Sequence, residues 1–176
     1  MSARTVFEIS EANVVLTHMN NRLEKHGEEE VLAVDLDFEW ETSNACLAMF
    51  SPSLRAALYG RPEGAQLELD PDPDHLVSLR FPALAPLKWS GGELTGAQIT
   101  FHCGVTPKSH IHLDAQKVHK YRLECKEGGT VVVRFQVQCR PTEGQAGKFT
   151  KLLTDKQVVL SVAPPDAGGA SDDEKK

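Results

Sequence analysis

The 176-residue chain lacks the short motifs that usually assign a reaction or a cofactor. It has no nucleophile elbow, and no Gly-Lys-Ser/Thr follows the glycine-rich stretch at Gly91, Gly92 and Gly96. Its cysteines form no Cys-x-x-Cys pair, so the sequence predicts neither a zinc knuckle nor a disulfide framework, but reduced and mostly buried thiols at Cys46, Cys103, Cys125 and Cys139. These absences favour a protein that is not an enzyme and binds no cofactor.

Long apolar runs and aromatic residues are also scarce. The apolar stretches fall far short of the roughly 20 residues that a spanning helix needs. Met1–Ser10 lacks the basic start and apolar run of an export signal. We therefore expect a cytoplasmic protein with no membrane partner. Aromatic side chains make up 6% of the chain, so most are needed in the core and few remain to stack on a ligand.

Charge is unevenly distributed along the chain. The segment 1–74 carries 15 acidic and 5 basic side chains, a net charge of −10, whereas 75–160 carries 12 basic and 6 acidic ones, a net charge of +6. The final segment, 161–176, adds −2. The overall charge of −6 hides this basic block, and such asymmetry points to a polyanionic partner.

Alternation of apolar and polar residues predicts a mainly β protein. In Val31–Thr42 the apolar side chains alternate with a row of carboxylates, Asp35, Asp37, Glu39 and Glu41. This pattern is typical of a half-buried strand, and Asn13–Lys25 is a weaker strand candidate that would pair with it as a hairpin. Further strands are predicted at 97–103 and Gln157–Val162. The sequence therefore predicts one domain, 1–162, built as an antiparallel β-sandwich or partly open barrel of about seven to nine strands.

Three segments depart from the strand pattern. One short helix is predicted at about 51–59, with Ser51 as N-cap and Gly60 as its stop. A solvated acidic turn is predicted where carboxylates alternate with prolines, at Asp70, Asp72 and Asp74, because the Gly and terminal Glu of a calcium loop are missing. The small, polar and acidic residues of 163–176 predict a disordered tail.

The clearest single unit is a hairpin of two alternating segments, Tyr121–Cys125 and Val131–Cys139, joined through Gly128 and Gly129. Both apolar sets must lie on one side of the ribbon, which predicts the pairs Cys125 with Val131, Leu123 with Val133, and Tyr121 with Phe135. The other side then pairs Arg122 with Arg134 and Lys120 with Gln136. Like charges directly across a ladder destabilise it by roughly 0.2–1 kcal/mol, so an anion is expected nearby.

Two kinds of anion fit this expectation. Glu124 lies diagonal to Arg134 and would neutralise part of the repulsion as an ordinary surface ion pair. Alternatively, a phosphate backbone would cross the hairpin and make binding salt dependent. The interface predicted in that case comprises Lys120, Arg122, Arg134, Gln136, Gln138 and Arg140. Bases would then stack on Trp89 or Phe149, or on Tyr121 if the hairpin faced the other way.

A cluster of histidines suggests a different chemistry. His110 and His112 flank Ile111, so on a strand both imidazoles project from one face at a spacing suited to a metal ion, with Asp114 on the same face. Such a set could hold zinc or iron and serve a metal-dependent hydrolase or oxygenase. The simpler interpretation is a strand whose polar face carries histidines, because apolar residues alternate with them.

Three segments, FEWETSNACLAMFSPSLRAALYG, LRFPALAPLKWSGGELTG and EGGTVVVRFQVQC, give the chain a resemblance to known proteins. The chain resembles a family of small proteins encoded by temperate phages and prophages of Gram-negative bacteria, over roughly 31–162. The resemblance implies a cytoplasmic protein that works in phage DNA recombination or against host defence. It assigns no site residues, because the family has no established activity.

The sequence as a whole favours a non-catalytic accessory protein that binds single-stranded DNA through the basic hairpin face. The alternative is a protein-binding inhibitor or adaptor of host machinery, whose acidic residues in Val31–Thr42 and Asp70–Asp74 would mimic nucleic acid. A metal-dependent enzyme is the third interpretation. Strand order and oligomeric state do not follow from the alternation pattern.

Overall fold

The structure is a computed structural model that describes residues 6–64 and 75–165. Within these residues the strands are β1 (Ile9–His26), β2 (Glu29–Ser43), β3 (Tyr59–Gly60), β4 (Ser78–Leu79), β5 (Leu87–Trp89), β6 (Gln98–His102), β7 (Ile111–Cys125), β8 (Thr130–Cys139) and β9 (Gln157–Ala163). The helices are α1 (Leu54–Leu58) and α2 (Glu143–Asp155), with short 3-10 helices at Asn44–Met49 and Pro107–Ser109. The predicted turn at Asp70, Asp72 and Asp74 and the tail residues 166–176 lie outside the described residues.

Six strands close into an antiparallel barrel. Their order around the ring is β7, β6, β9, β1, β2 and β8, and the pairing of β8 with β7 closes it. β5 adds a short strand beside β7, and β3 and β4 form a separate two-stranded sheet. The predicted fold class is confirmed, and the closed ring makes it a barrel rather than a sandwich. Closure pairs backbone groups that an open sheet would leave at its edges.

The alternating apolar side chains fill the interior of the barrel. The predicted hairpin of the first two strands is confirmed as β1 and β2, with both strands longer than predicted. Leu36 and Phe38 of β2 are at most 1% exposed, and β8 lies directly beside them. The rings of Phe38 and Phe135 stack with their centroids 5.4 Å apart. The period-2 pattern therefore identified the core face correctly.

The sequence analysis did not predict α2, which packs against β1 and β9. Phe149 of α2 is fully buried, and its ring centroid lies 5.1 Å from that of Phe101 in β6. The helix begins with a capping box, in which the Thr142 hydroxyl accepts from the Gln145 N–H and the Gln145 side chain accepts from the Thr142 N–H. This Thr-x-x-Gln pattern is the sequence signal for the helix, although two glycines lower its helix propensity.

The predicted short helix is present as α1, but it is shorter than 51–59 and follows Ser53 rather than Ser51. The N–H of Leu54 donates to the carbonyl of Ser51, so Ser51 belongs to a turn before the helix. Neither the helix cap nor the preceding 3-10 helix is held by a capping side chain.

The hairpin of β7 and β8 has the predicted register near its turn and loses it further out. Arg122 lies opposite Arg134, and the apolar pairs nearest the turn are also confirmed. The predicted pair Lys120 with Gln136 is wrong, because a β-bulge inserts one residue into β7 and brings His119 opposite Gln136. Tyr121 and Phe135 lie at this bulge, where the regular pairing is interrupted. Lys120 lies in this bulge with a φ of 57°.

Candidate functional site

Arg134, one of the two facing arginines, is held by two carboxylates of the same chain. Its Nε donates to Glu39 of β2 at 2.9 Å, and its Nη1 donates to Glu124 of β7 at 2.8 Å. These contacts, Glu124 first, raise the pKa of the guanidinium. The sequence-based expectation that Glu124 neutralises Arg134 is confirmed, and Glu39 contributes a second ion pair that the hairpin alone could not reveal.

Gln136 is also engaged within the chain. Its Nε2 donates to Asp37 at 2.8 Å, and its Oε1 lies 3.2 Å from Nε2 of His119. Asp37 belongs to β2, which is paired with β8 so that Asp37 lies opposite Gln136. The two sides of the Gln136 amide are therefore occupied by neighbouring strands.

Arg140 belongs to a separate ion-pair network near the tip of the first hairpin. Its Nη2 donates to Glu24 at 2.9 Å and lies 2.7 Å from Nε2 of His26. Glu24 also accepts from Arg22, which holds Asp35 through two hydrogen bonds of 2.8 and 2.9 Å. Arg140 is thus placed away from the hairpin turn and already has an anionic partner.

Acidic side chains of the first sequence block therefore lie beside basic side chains of the second block, on neighbouring strands of the barrel. β2 carries the acidic row of the first block, and β8 carries basic residues of the second. Antiparallel pairing places Glu39 directly opposite Arg134. The acidic surface and the basic hairpin face neutralise each other locally, so neither has the full free charge that the sequence indicated.

Among the described residues of β5 and β7, three cations escape this neutralisation. Lys88 of β5 lies directly opposite Arg122 of β7, and both are exposed, as is Lys120 in the bulge. None of the three makes an ion pair with a residue that the structure describes. We call Lys88, Lys120 and Arg122 the open cationic surface. Sequence analysis missed Lys88, because its strand has three residues and shows no alternation long enough to identify it.

The predicted stacking residues do not lie on this surface. Trp89 lies opposite Tyr121, which is 1% exposed, so Trp89 shares the inward face while its neighbour Lys88 faces outward. The Trp89 ring packs edge-on against Phe50 with centroids 6.0 Å apart. Phe149 and Tyr121 are buried as well. The structure therefore places none of these three rings beside the cations, because alternation turns Trp89 and Tyr121 inward and Phe149 of α2 packs against Phe101 in the core.

Phe81 is an exposed aromatic residue that sequence analysis did not single out. It is 58% exposed and borders a shallow pocket with Leu87 and Leu123. These two leucines lie opposite each other, one residue along from the Lys88 and Arg122 pair. Phe81 therefore lies beside β5 on the face opposite the cations. Phe81 lies between Arg80 and Pro82, in a stretch where proline excludes a central strand. This sequence context could have indicated an exposed aromatic residue.

The predicted histidines lie close together in the structure. The rings of His110 and His112 are 6.2 Å apart between centroids, so the two share a face as predicted. His112 contacts the Thr100 hydroxyl at 3.2 Å, and Asp114 lies across the ladder from Gln98. Within residues 6–64 and 75–165, no group of three or more His, Cys, Asp or Glu side chains could hold a metal ion.

Comparison with known proteins found no matching family model, no similar curated protein and no similar solved structure. Among the described residues, neither α-helix has the length and apolar character needed to cross a membrane. A functional proposal for this barrel therefore depends on the geometry of its own residues.

Proposed function

We propose that this barrel is a non-catalytic accessory protein that binds single-stranded DNA on the open cationic surface. The observation that carries the proposal is the direct opposition of Lys88 and Arg122 without a counter-ion among the residues that the structure describes. Side chains placed in this way have Cβ atoms about 4.5–5.5 Å apart, so the two charges repel each other until an anion is supplied. A phosphate backbone supplies such anions at regular intervals.

Lys120 adds a third charge and a conformational argument. A φ of 57° is uncommon for a residue other than glycine and costs roughly 1–2 kcal/mol. Bulges of this kind redirect a side chain, and they are frequent next to functional sites. The bulge separates Lys120 from Gln136 and leaves it exposed two residues before Arg122.

Phe81 supplies the base contact in this proposal. Single-strand binders combine a cationic surface with aromatic rings on which bases stack, and each stacked base contributes about 1–3 kcal/mol. β5 is the last strand of its sheet, so the chain of the ligand passes over its open edge from Lys88 to Phe81. A duplex is too stiff to make this turn and presents no unstacked base.

The resemblance to proteins of temperate phages and prophages gives the proposal its setting, in which the protein works in the host cytoplasm in recombination or replication. The alternative, a protein-binding inhibitor with an acidic surface, has less support. Asp35, Asp37 and Glu39 of that surface are already bonded within the chain.

Fluorescence anisotropy with a labelled single strand of about 20 nucleotides, longer than the usual site of one barrel, tests the proposal. We expect binding that weakens with salt, with a slope of about −2 in log K against log salt for three neutralised phosphates. Lys88→Glu combined with Arg122→Glu should abolish binding, and Phe81→Ala should weaken binding to the single strand but not residual binding to a duplex.

Lys25→Glu combined with Lys156→Glu is the matched control, because it changes the net charge equally at exposed residues outside the open cationic surface. It should retain most of the affinity. Equal losses in both double variants would show a general charge effect and contradict the proposed surface, as would the absence of binding at low salt. Arg134 is unsuited to this test because its replacement would disturb two internal ion pairs.

A further inference from the structure

A concave surface lies near the start of β7, away from the open cationic surface near its end. It is a cavity of about 640 Å³ between α2, β9 and the segment 103–109. This volume lies within the range of small-molecule sites, about 300–1,000 Å³. Part of its wall is apolar and includes Leu152 and Val159. Such a wall can accept the hydrocarbon part of a ligand.

The charged part of the wall is mainly positive. Lys108, Lys148 and Lys151 line the cavity, and Asp155 is the one carboxylate among its described lining residues. None of these three lysines forms an ion pair with a described residue. Burial raises the pKa of the Cys103 thiol in the same wall, and the positive charge of Lys148 acts in the opposite direction. The positive charge of Lys148 therefore acts on the Cys103 thiol in the cavity wall.

A tight loop and a hydrogen bond order the polar side of the cavity. Gly104 has a φ of 70°, and a Cβ at this position would lie 2.8 Å from Cβ of Ser109. The loop can close this tightly only with glycine, which brings Ser109 and Lys108 to the cavity. His102 is held through Nε2 by the Ser161 hydroxyl at 2.7 Å. His102 and the loop at Ser109 therefore have defined positions before any ligand arrives.

We propose that this cavity binds a small organic anion, with its phosphate or carboxylate group among Lys108, Lys148 and Lys151 and its apolar part against Leu152 and Val159. The three lysines provide charge that no described side chain neutralises, and the apolar wall distinguishes such a ligand from a free inorganic ion. The site is independent of the proposed DNA surface, since the two share no residue.

Isothermal titration calorimetry on the full chain tests the site with four probes: octyl phosphate, octanoate, inorganic phosphate and uncharged octanol. We expect octyl phosphate or octanoate to bind, and both inorganic phosphate and octanol to bind at least about fivefold more weakly. The better of the two anions identifies the head group. Lys148→Gln combined with Lys151→Gln should weaken binding of that anion about fivefold.

Two control variants locate the effect. Lys25→Gln removes an exposed lysine from β1, and Lys88→Gln removes one from the open cationic surface; both should bind the anion as the parent does. Leu152→Asp should also weaken binding, because it places a carboxylate in the apolar wall. The site would be refuted if no probe bound up to about 1 mM, if octanol bound as well as the anions, or if the controls lost as much affinity as the α2 variant.

Discussion

Arg134 and Arg122 lie opposite each other on paired strands, but Arg134 has carboxylate neighbours whereas Arg122 has cations opposite it on both neighbouring strands. Replacing each by alanine should therefore change the free energy of unfolding by different amounts. Arg134 has two carboxylate partners at 2.9 and 2.8 Å. Its side chain is 41% exposed, and those of Glu39 and Glu124 are 36% and 37% exposed. Partly exposed ion pairs of this kind contribute about 0.2–1 kcal/mol each.

Removing Arg134 also leaves Glu39 and Glu124 without the cation that separates them. We therefore expect Arg134→Ala to lower the free energy of unfolding by about 1–2 kcal/mol. Arg122→Ala removes a cation that faces Lys88 and Arg134 and has no described counter-ion. Its effect should lie within about 0.5 kcal/mol of zero, or stabilise slightly, because cross-strand repulsion is relieved.

Urea unfolding followed by circular dichroism measures both variants, with the slope m showing whether the compactness of either state has changed. The loss in Arg134→Ala should shrink at about 1 M salt, where the screening length falls to about 3 Å. Both arginines have long aliphatic stems, so Arg122→Ala also controls for lost packing. Equal losses in the two variants, or a cost at Arg134 that salt leaves unchanged, would refute the electrostatic reasoning.

Two further predictions concern the thiols and acid stability. Burial raises the pKa of the Cys46 and Cys139 thiols to about 12. Iodoacetamide at about pH 8 should therefore label the partly exposed Cys103 and Cys125 of the folded protein well before these two. Equal labelling of all four cysteines in peptide mass spectrometry would contradict this. Arg140, then His26 and Arg22, hold the pKa of Glu24 below its usual 4.5. That contribution exists above the unfolded pKa and is lost as pH falls through the folded one, so Glu24→Gln should be less stable than the parent at pH 7, and the difference should shrink as the pH falls below 4.5. A difference in urea unfolding that does not depend on pH would contradict this.

The strands and the core could be predicted from the sequence because alternation is a local property. Val34, Leu36 and Phe38 identify the buried face of β2 without knowledge of its neighbours. The same applies to the hairpin register near Gly128 and Gly129, where the turn fixes the pairing. The sequence pattern did not predict α2, because two glycines and an uneven apolar stripe weaken the helical signal that its capping box provides.

The candidate site was only half predictable, because its charges depend on strand order. The sequence identified Arg122 and Lys120 as exposed cations and suggested Glu124 as a partner of Arg134. It did not reveal Glu39, which is 95 residues away along the chain. Nor did it place Lys88 opposite Arg122, since β5 is too short to show a period.

The sequence by itself determined which residues turn inward, where the main hairpins turn and how charge is distributed along the chain. Those properties depend on side-chain type and on the two-residue repeat of a strand. Only the tertiary structure decided that the sheet closes, that β2 lies beside β8, and that Lys126, Arg134 and Arg140 of the basic block pair with carboxylates of the acidic one. Strand neighbours are selected by burial and backbone pairing over the whole ring, which no local pattern encodes. The cations left over after that pairing, at β5 and β7 and around α2, are therefore a product of the fold.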